Sequence, residues 1–402
     1  MQFCSVLISI LVLWPLAAHA DEAQVARGRY LSTAGDCVVC HTRPQPGAPA
    51  FAGGYPLHAA PGTVYSSNIT PDRETGIGKW TPDQFFRAMH DGISADGRHL
   101  YPAFPYVYFS RLSRADDDAI FAYLKTLKPV RYRPPRNTLI FPTNIRAGMI
   151  GWNALFLHLR PFQSDHSRSA AWNRGKELVT GVAHCGGCHT GKNFMFGDVS
   201  GPSLRGGLAD AWYAPNLNGD TPDGLGSWSV ADIAQYLKEG SNRFTRAAGA
   251  MRDVVDQSTS QLTEADRNAI ATYLKSLPPV SRKSVAAPSV QQMQKGQAVY
   301  TAQCAACHEV NGRGSTAYPS LAGNTLLAAD NPDTVLRIVQ QGTSAPQAVP
   351  DANRFSMPAF GTLSDADLAD VATYIRNAWG NHAAAISAKD AKSFRQLLRA
   401  GD

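Results

Sequence analysis

Three times the chain sets two cysteines three residues apart with a histidine directly behind them. These are Cys37, Cys40 and His41 in CVVCH, Cys185, Cys188 and His189 in CGGCH, and Cys304, Cys307 and His308 in CAACH. Two thiols at that spacing can add across the vinyl groups of a haem while the adjacent imidazole ligates its iron, so each string reads as an attachment site for covalent haem c. The chain should therefore carry three covalently bound haem c groups and handle electrons rather than substrates. A zinc site is the poorer reading, because a His beside the second Cys is badly placed to close the same tetrahedron. A redox-active dithiol would want a βαβ surround that is missing here. The seventh cysteine, Cys4, lies in the amino-terminal segment.

Haem iron with a proximal His commonly takes a distal Met, whose thioether raises the reduction potential. Each repeat has a helical stretch that ends near a glycine, Gly92, Gly240 or Gly342, and aligning on these offers Met251 in the second unit and Met357 in the third. In the first unit the matching loop reads ISADGRHLYPAFPYVYF, and the sulfur position is Phe104, which cannot ligate iron. Met89, in the preceding helix, is the favoured replacement. His90, His58, His99 and an open site are the alternatives.

The elements that must position these groups also recur. Before each attachment string runs a short helical stretch with a glycine (Gly28, Gly175, Gly296), where another helix can approach closely. After it comes a closing helix in LSRADDDAIFAYLKTL, LTEADRNAIATYLKSL and LSDADLADVATYIRNA. Ser113, Thr263 and Ser364 are natural N-caps there, each with an Asp three residues on. Between the two lie further helix starts at Thr81-Pro82, Ser229 and Asn331-Pro332.

Residues 3–18 form an apolar run too short for a comfortable membrane span, and Ala18-His19-Ala20 is a small-x-small cleavage pattern. A signal peptide over 1–20 is expected, with an uncleaved anchor as the competing reading. The net charge of +6 is untouched by its removal, since 1–20 hold no Lys, Arg, Asp or Glu. Haem propionates would offset much of that charge, so no nucleic-acid partner is expected. The units are placed at 21–133, 166–281 and 290–385, with Pro-rich or polar joins at 134–165 and 282–289 and a tail at 386–402. Within the first join Ile145, Met149, Trp152, Phe156 and Leu159 fall on one helical face. That stripe either packs between units one and two or docks on a partner or membrane surface.

A glycine-bearing helix, a CxxCH turn and a closing helix with an aromatic resemble a small class I cytochrome c domain, which implies a mainly α fold of three tandem domains. With YSSNITPDRETGIGKWTPDQF, GRHLYPAFPY, FPTNIRAGMIGWNALF and WYAPNLNGD, the chain resembles the cytochrome c subunit of membrane-bound bacterial dehydrogenases. That family serves alcohol, aldehyde, gluconate, sorbitol and fructose dehydrogenases and molybdenum hydroxylases. The resemblance implies a separate catalytic subunit with a molybdenum, flavin or quinone cofactor, ubiquinone as acceptor, and peripheral attachment to the periplasmic face of the inner membrane. The family's loop often reads LYPAMPY, so Phe104 departs from it, and the Phe form points toward molybdenum-hydroxylase partners. Membrane contact is expected from the 144–159 stripe or the tail KSFRQLLRAG. Two other classes compete: a peroxidase-like enzyme acting at an open haem 1, and a free soluble electron shuttle.

Overall fold

The computed structural model describes residues 14–59, 61–201, 203–209, 212–280 and 285–401. It is mainly helical. In chain order the helices are α1 (Trp14–Ala34), α2 (Cys37–Cys40), α3 (Pro82–Asp91), α4 (Tyr106–Phe109), α5 (Arg114–Thr126), α6 (Gly148–Phe156), α7 (Ala170–Thr180), α8 (Gly186–His189) and α9 (Val230–Glu239). Then follow α10 (Ala250–Gln257), α11 (Glu264–Lys275), α12 (Val290–Gln303), α13 (Ala305–His308), α14 (Thr325–Ala328), α15 (Asp333–Gln341), α16 (Asp365–Ile375) and α17 (Ala388–Gly401). Two small antiparallel hairpins, β1 (Pro56–Ala59) with β2 (Gly62–Tyr65) and β3 (Gly207–Ala209) with β4 (Trp212–Ala214), follow the first two attachment turns.

Three helix pairs carry the architecture: α1 with α5, α7 with α11, and α12 with α16. The closing helix of each starts at the expected cap, where the hydroxyls of Ser113, Thr263 and Ser364 accept from the backbone N–H of Asp116, Asp266 and Asp367. The pairs cross at the glycines. A Cβ at Gly28 would lie 1.8 Å from the Ala119 carbonyl oxygen, at Gly175 2.0 Å from that of Ala269, and at Gly296 2.1 Å from that of Asp370. Only a residue without a side chain permits that approach. Two of the three middle helices are capped as read, with complete capping boxes at Thr81/Gln84 and Ser229/Asp232; the third starts at Asp333 with Pro332 at the N-cap, and the Asn331 side chain accepts from the Asp333 N–H. They stop at Gly92, Gly240 and Gly342, all at positive φ.

The buried side chains fall into two clusters. One runs without a break from Leu31 and Ile120 on α1 and α5 to Leu178 and Ile270 on α7 and α11. Polar contacts reinforce it: the Tyr30 phenol donates to Asp266 at 2.6 Å, and the Ser258 hydroxyl to the Ala34 carbonyl at 3.3 Å. The second cluster is built on Tyr300, Leu336 and Leu368. It meets the first body through polar contacts: Thr334 Oγ1 accepts from the Tyr213 N–H at 2.8 Å and donates to the Tyr213 carbonyl at 2.9 Å, and the Ala348 N–H donates to Asp256 at 3.2 Å.

Helix α1 runs through the expected cleavage point after Ala20, while residues 1–13 of the expected signal segment lie outside the described residues, as do 281–284 beside the second join. The apolar stripe of the first join divides. Trp152 is buried between Tyr106 and the Met195 carbonyl, to which its indole N–H donates at 2.8 Å, and Phe156 packs on Trp152, whereas Ile145 and Leu159 face solvent. The tail differs from the membrane contact expected of it. On α17, Ala391, Phe394 and Leu398 are buried in the second cluster, and Arg395 pairs with Asp365 at 3.1 Å. Its apolar face is committed to the protein, packed against α16 and α15.

Removing residues 387–402 should therefore destabilise the third helix pair by roughly 3–6 kcal/mol, because the burial contributed by Phe394 and Leu398 is lost and the core they cover is opened to water. In urea, the truncated protein should show an early transition confined to the third unit. An unchanged unfolding profile would refute the packing role.

Candidate haem attachment sites

Each CxxCH string closes one helical turn. The His41 N–H donates to the Cys37 carbonyl at 3.0 Å, His189 to Cys185 at 2.9 Å, and His308 to Cys304 at 3.0 Å. Residues i, i+3 and i+4 of a helical turn share a face, so both sulfurs and the imidazole are presented together. The ring orientation is fixed the same way three times. Nδ1–H of His41 donates to the Ser67 carbonyl at 2.7 Å, that of His189 to Pro215 at 2.7 Å, and that of His308 to Pro319 at 3.1 Å. A carbonyl can only accept, so the proton sits on Nδ1 and the Nε2 lone pair is left for a metal. Burial lowers the pKa of all three imidazoles and keeps them in the neutral, ligating form.

The cysteines are unbridged, and burial pushes Cys37 up to about 11 and Cys40 and Cys185 to about 12. A redox-active CxxC needs the opposite, a thiol pKa held below its ordinary value. Among the described residues no group of three His, Cys, Asp or Glu side chains is gathered to hold a metal ion. The set fits a covalent haem c: two thiols for the vinyl groups and one oriented imidazole for the iron.

The distal segments of the first two units superpose in hydrogen-bond pattern. After the helix-ending glycine comes one antiparallel bridge, Ile93 with His99 and Ser241 with Arg246. The Leu100 N–H then returns to the Gly92 carbonyl, and the Ala247 N–H to that of Gly240, both at 2.7 Å. Four residues further on stand Phe104 and Met251. The third unit bridges Thr343 directly to Met357. Met251 is half-buried against the first cluster and Met357 against the second, while Phe104 packs on Phe109 with ring centroids 5.4 Å apart.

The candidates for the first unit separate. Met89 is buried in the core, as are its counterparts Leu237 and Val339. His90 is engaged elsewhere: Nε2 lies 2.7 Å from Asp117, whose carboxyl burial pushes up to about 6 against the pull of His90, and the ring stacks on Phe86 at 4.0 Å. His58 is exposed on β1 beside Thr63. His99 has a buried Nδ1 without a hydrogen-bond partner, and it occupies the bridge position that Arg246 takes in the second unit.

The sites are linked by contacts that no local pattern announces. Tyr108 of α4 lies over the second attachment turn, so close that a Cβ on Gly186 would come within 2.9 Å of its ring, and it donates to Asp198 at 2.8 Å. In return, α10, which carries Met251, packs on α2, which carries Cys37 and Cys40. Arg246 reaches from the second distal loop to the Ala317 carbonyl at 2.9 Å and contributes to the field at His308. Neither Tyr108 nor Arg246 stands out in the sequence. The histidine-orienting carbonyls do leave a trace, since Ser67 and Pro215 each precede Asn in SSNIT and APNLN.

A sequence model described as cytochrome c matches residues 172–278 and 293–379, which hold the second and third strings. Among characterised proteins, the fructose dehydrogenase cytochrome subunit of Gluconobacter japonicus is 37% identical over 95% of this chain and 84% of its own. The gluconate 2-dehydrogenase cytochrome c subunit of Pantoea cypripedii is 37% identical over 98% and 95%. A nicotinate dehydrogenase subunit of Pseudomonas putida is 44% identical over 89% of this chain, which spans 30% of that longer protein.

If Met89 supplies the sixth ligand in the first unit, Met89→Leu, a volume-conserving change that cores tolerate, should turn one haem in three high-spin and open it to carbon monoxide. His99→Ala should leave the spectrum low-spin. The reverse pattern would transfer the role to His99, and a parent protein already one-third high-spin would remove Met89 from consideration.

Proposed function

The chain belongs to the family of cytochrome c subunits of bacterial dehydrogenases, and from that membership we propose that it is the triheme electron-transfer subunit of a periplasmic, membrane-associated dehydrogenase. Each crossing helix pair with its CxxCH turn is read as one class I domain, at 21–133, 166–281 and 290–385. The observation that carries the proposal is the threefold repetition of one arrangement, a CxxCH turn whose His is oriented through Nδ1 by a backbone carbonyl. The haems supply one-electron redox chemistry when bound. The chain's own residues supply attachment (Cys37, Cys40, Cys185, Cys188, Cys304, Cys307), proximal ligands (His41, His189, His308), distal ligands (Met251, Met357 and, in the first unit, Met89) and a low-dielectric surround.

A catalytic partner oxidises the substrate and electrons pass through this chain to ubiquinone. A molybdenum cofactor in that partner is favoured over flavin or quinone, in line with Phe104. No described helix is long and apolar enough to cross a membrane. Attachment is accordingly proposed to be peripheral, following export by the 1–20 segment.

Two measurements test this. Mild solubilisation of the host membranes and capture of the tagged chain should bring down a large subunit bearing one of those cofactors, and recovery of the chain alone would favour a soluble shuttle. Met251→Ala and Met357→Ala should each lower one haem potential and slow quinone reduction at least tenfold, while substrate oxidation with an artificial acceptor continues. Equal loss in both assays would contradict a relay.

A further inference from the structure

The short turn over residues 192–198, between α8 and β3, presents the wrong residues to water. Lys192 pairs with Asp198 across it, and the tip is well made: the Asn193 side-chain oxygen accepts from the Met195 N–H at 2.8 Å and the Gly197 N–H at 3.2 Å. Turn tips built on such Asn bonds are ordinarily polar. Here the tip reads Phe194-Met195-Phe196, with Phe194 92% exposed and Phe196 held at φ 62°, a backbone region that bulky residues avoid.

This tip and α6 form one surface. The Trp152 indole binds the Met195 carbonyl, and the Phe156 ring sits where a Cβ on Gly197 would be, 2.4 Å from its Cδ1. From that anchored helix and its end Ile150, Leu155 and Leu159 project with more than half of their surface exposed. The chain leading into and out of α6 is basic. Between Asp118 and Asp165 the sequence contains seven Lys and Arg and no Asp or Glu, and of these Lys128, Arg133, Arg136 and Arg160 are exposed.

We infer that the Phe194–Phe196 tip and the outer face of α6 are an interfacial insertion site for an anionic bilayer, apolar side chains entering the headgroup boundary and the basic segment meeting lipid phosphate. The inference rests on the peripheral attachment proposed above and names the surface responsible. Apolar residues on a narrow, exposed tip suit insertion between lipids, and the basic segment around α6 complements an acidic headgroup layer. The tail does not compete for the role, its apolar face being buried on the third helix pair.

The test is co-sedimentation of the haem-loaded protein with vesicles of phosphatidylglycerol and phosphatidylethanolamine, against vesicles of phosphatidylcholine alone. The parent should prefer the anionic vesicles and release from them in high salt. Phe194→Ser with Leu155→Ser should lower partitioning at least tenfold at an unchanged haem spectrum. Arg133→Glu with Arg136→Glu and Arg160→Glu, which leaves the apolar residues alone, should act in the same direction. Parental binding by both variants would overturn this surface while leaving peripheral attachment standing. A parent that binds neither vesicle would overturn both, and if the serine variant then also lost the co-purifying large subunit, the face would be a protein dock. Equal, salt-insensitive binding to phosphatidylcholine would overturn the anionic preference.

Discussion

Everything in this chain hangs from a backbone contact repeated three times. Gly28, Gly175 and Gly296 bring one helix so near another that the missing methylene would collide with a carbonyl oxygen. That approach is closer than ordinary helix packing, in which side chains keep axes about 8–10 Å apart. It places the end of the first helix, and with it the CxxCH turn, at a fixed height against the closing helix. The spacing from glycine to first cysteine varies by a residue or two between the units, and the local turns absorb the difference. The crossing itself does not vary, because no other residue can occupy it.

The sites are less modular than the sequence repeats suggest. A single buried cluster runs through the first two units, and each lends the other a wall: Tyr108 covers the second attachment turn and α10 covers the first. Such reciprocal cover has an electrostatic consequence. Sites packed against each other exclude water between them, and a drier surround raises the energetic weight of every nearby dipole and charge. Asp36, whose carboxyl is buried beside Cys37 and held well above its ordinary pKa by that burial and by Asp253, lies in this shared region. The third unit is joined by polar contacts and keeps its own core, so it meets the others as a neighbour rather than as a continuation.

What could be read in advance was whatever a short window encodes. Caps at Ser113, Thr263 and Ser364, glycine stops at Gly92, Gly240 and Gly342, and the attachment strings all depend on residues within one or two helical turns. The carbonyls of Ser67, Pro215 and Pro319 depend on a loop returning from 11 to 26 residues away, and only repetition across units could have flagged them. The pairing of His90 with Asp117 was illegible, since it needs α3 and α5 to be packed before the two residues meet. The tail misled for a different reason. An amphipathic helix looks the same whether its apolar face meets lipid or protein, and only the packing against α16 and α15 decides the matter.

Phe104 is where these threads join. Its backbone follows the path that brings Met251 to its place, down to the matching hydrogen bond from Leu100 to Gly92. The two loops therefore share a shape, with a phenyl ring in the first where the second has a thioether. An aromatic in that place also packs on Phe109, which in turn lies 5.4 Å from His184 beside the second attachment turn. The ring thus forms an apolar bridge between the first distal loop and the second site. On the proposed ligand set, absence of a thioether removes a ligand that raises haem potential, whereas added apolar burial disfavours the more highly charged oxidation state. The two effects oppose each other at one site. What occupies the distal side of the first unit then decides the balance, and that is the unit whose repeated loop carries no thioether.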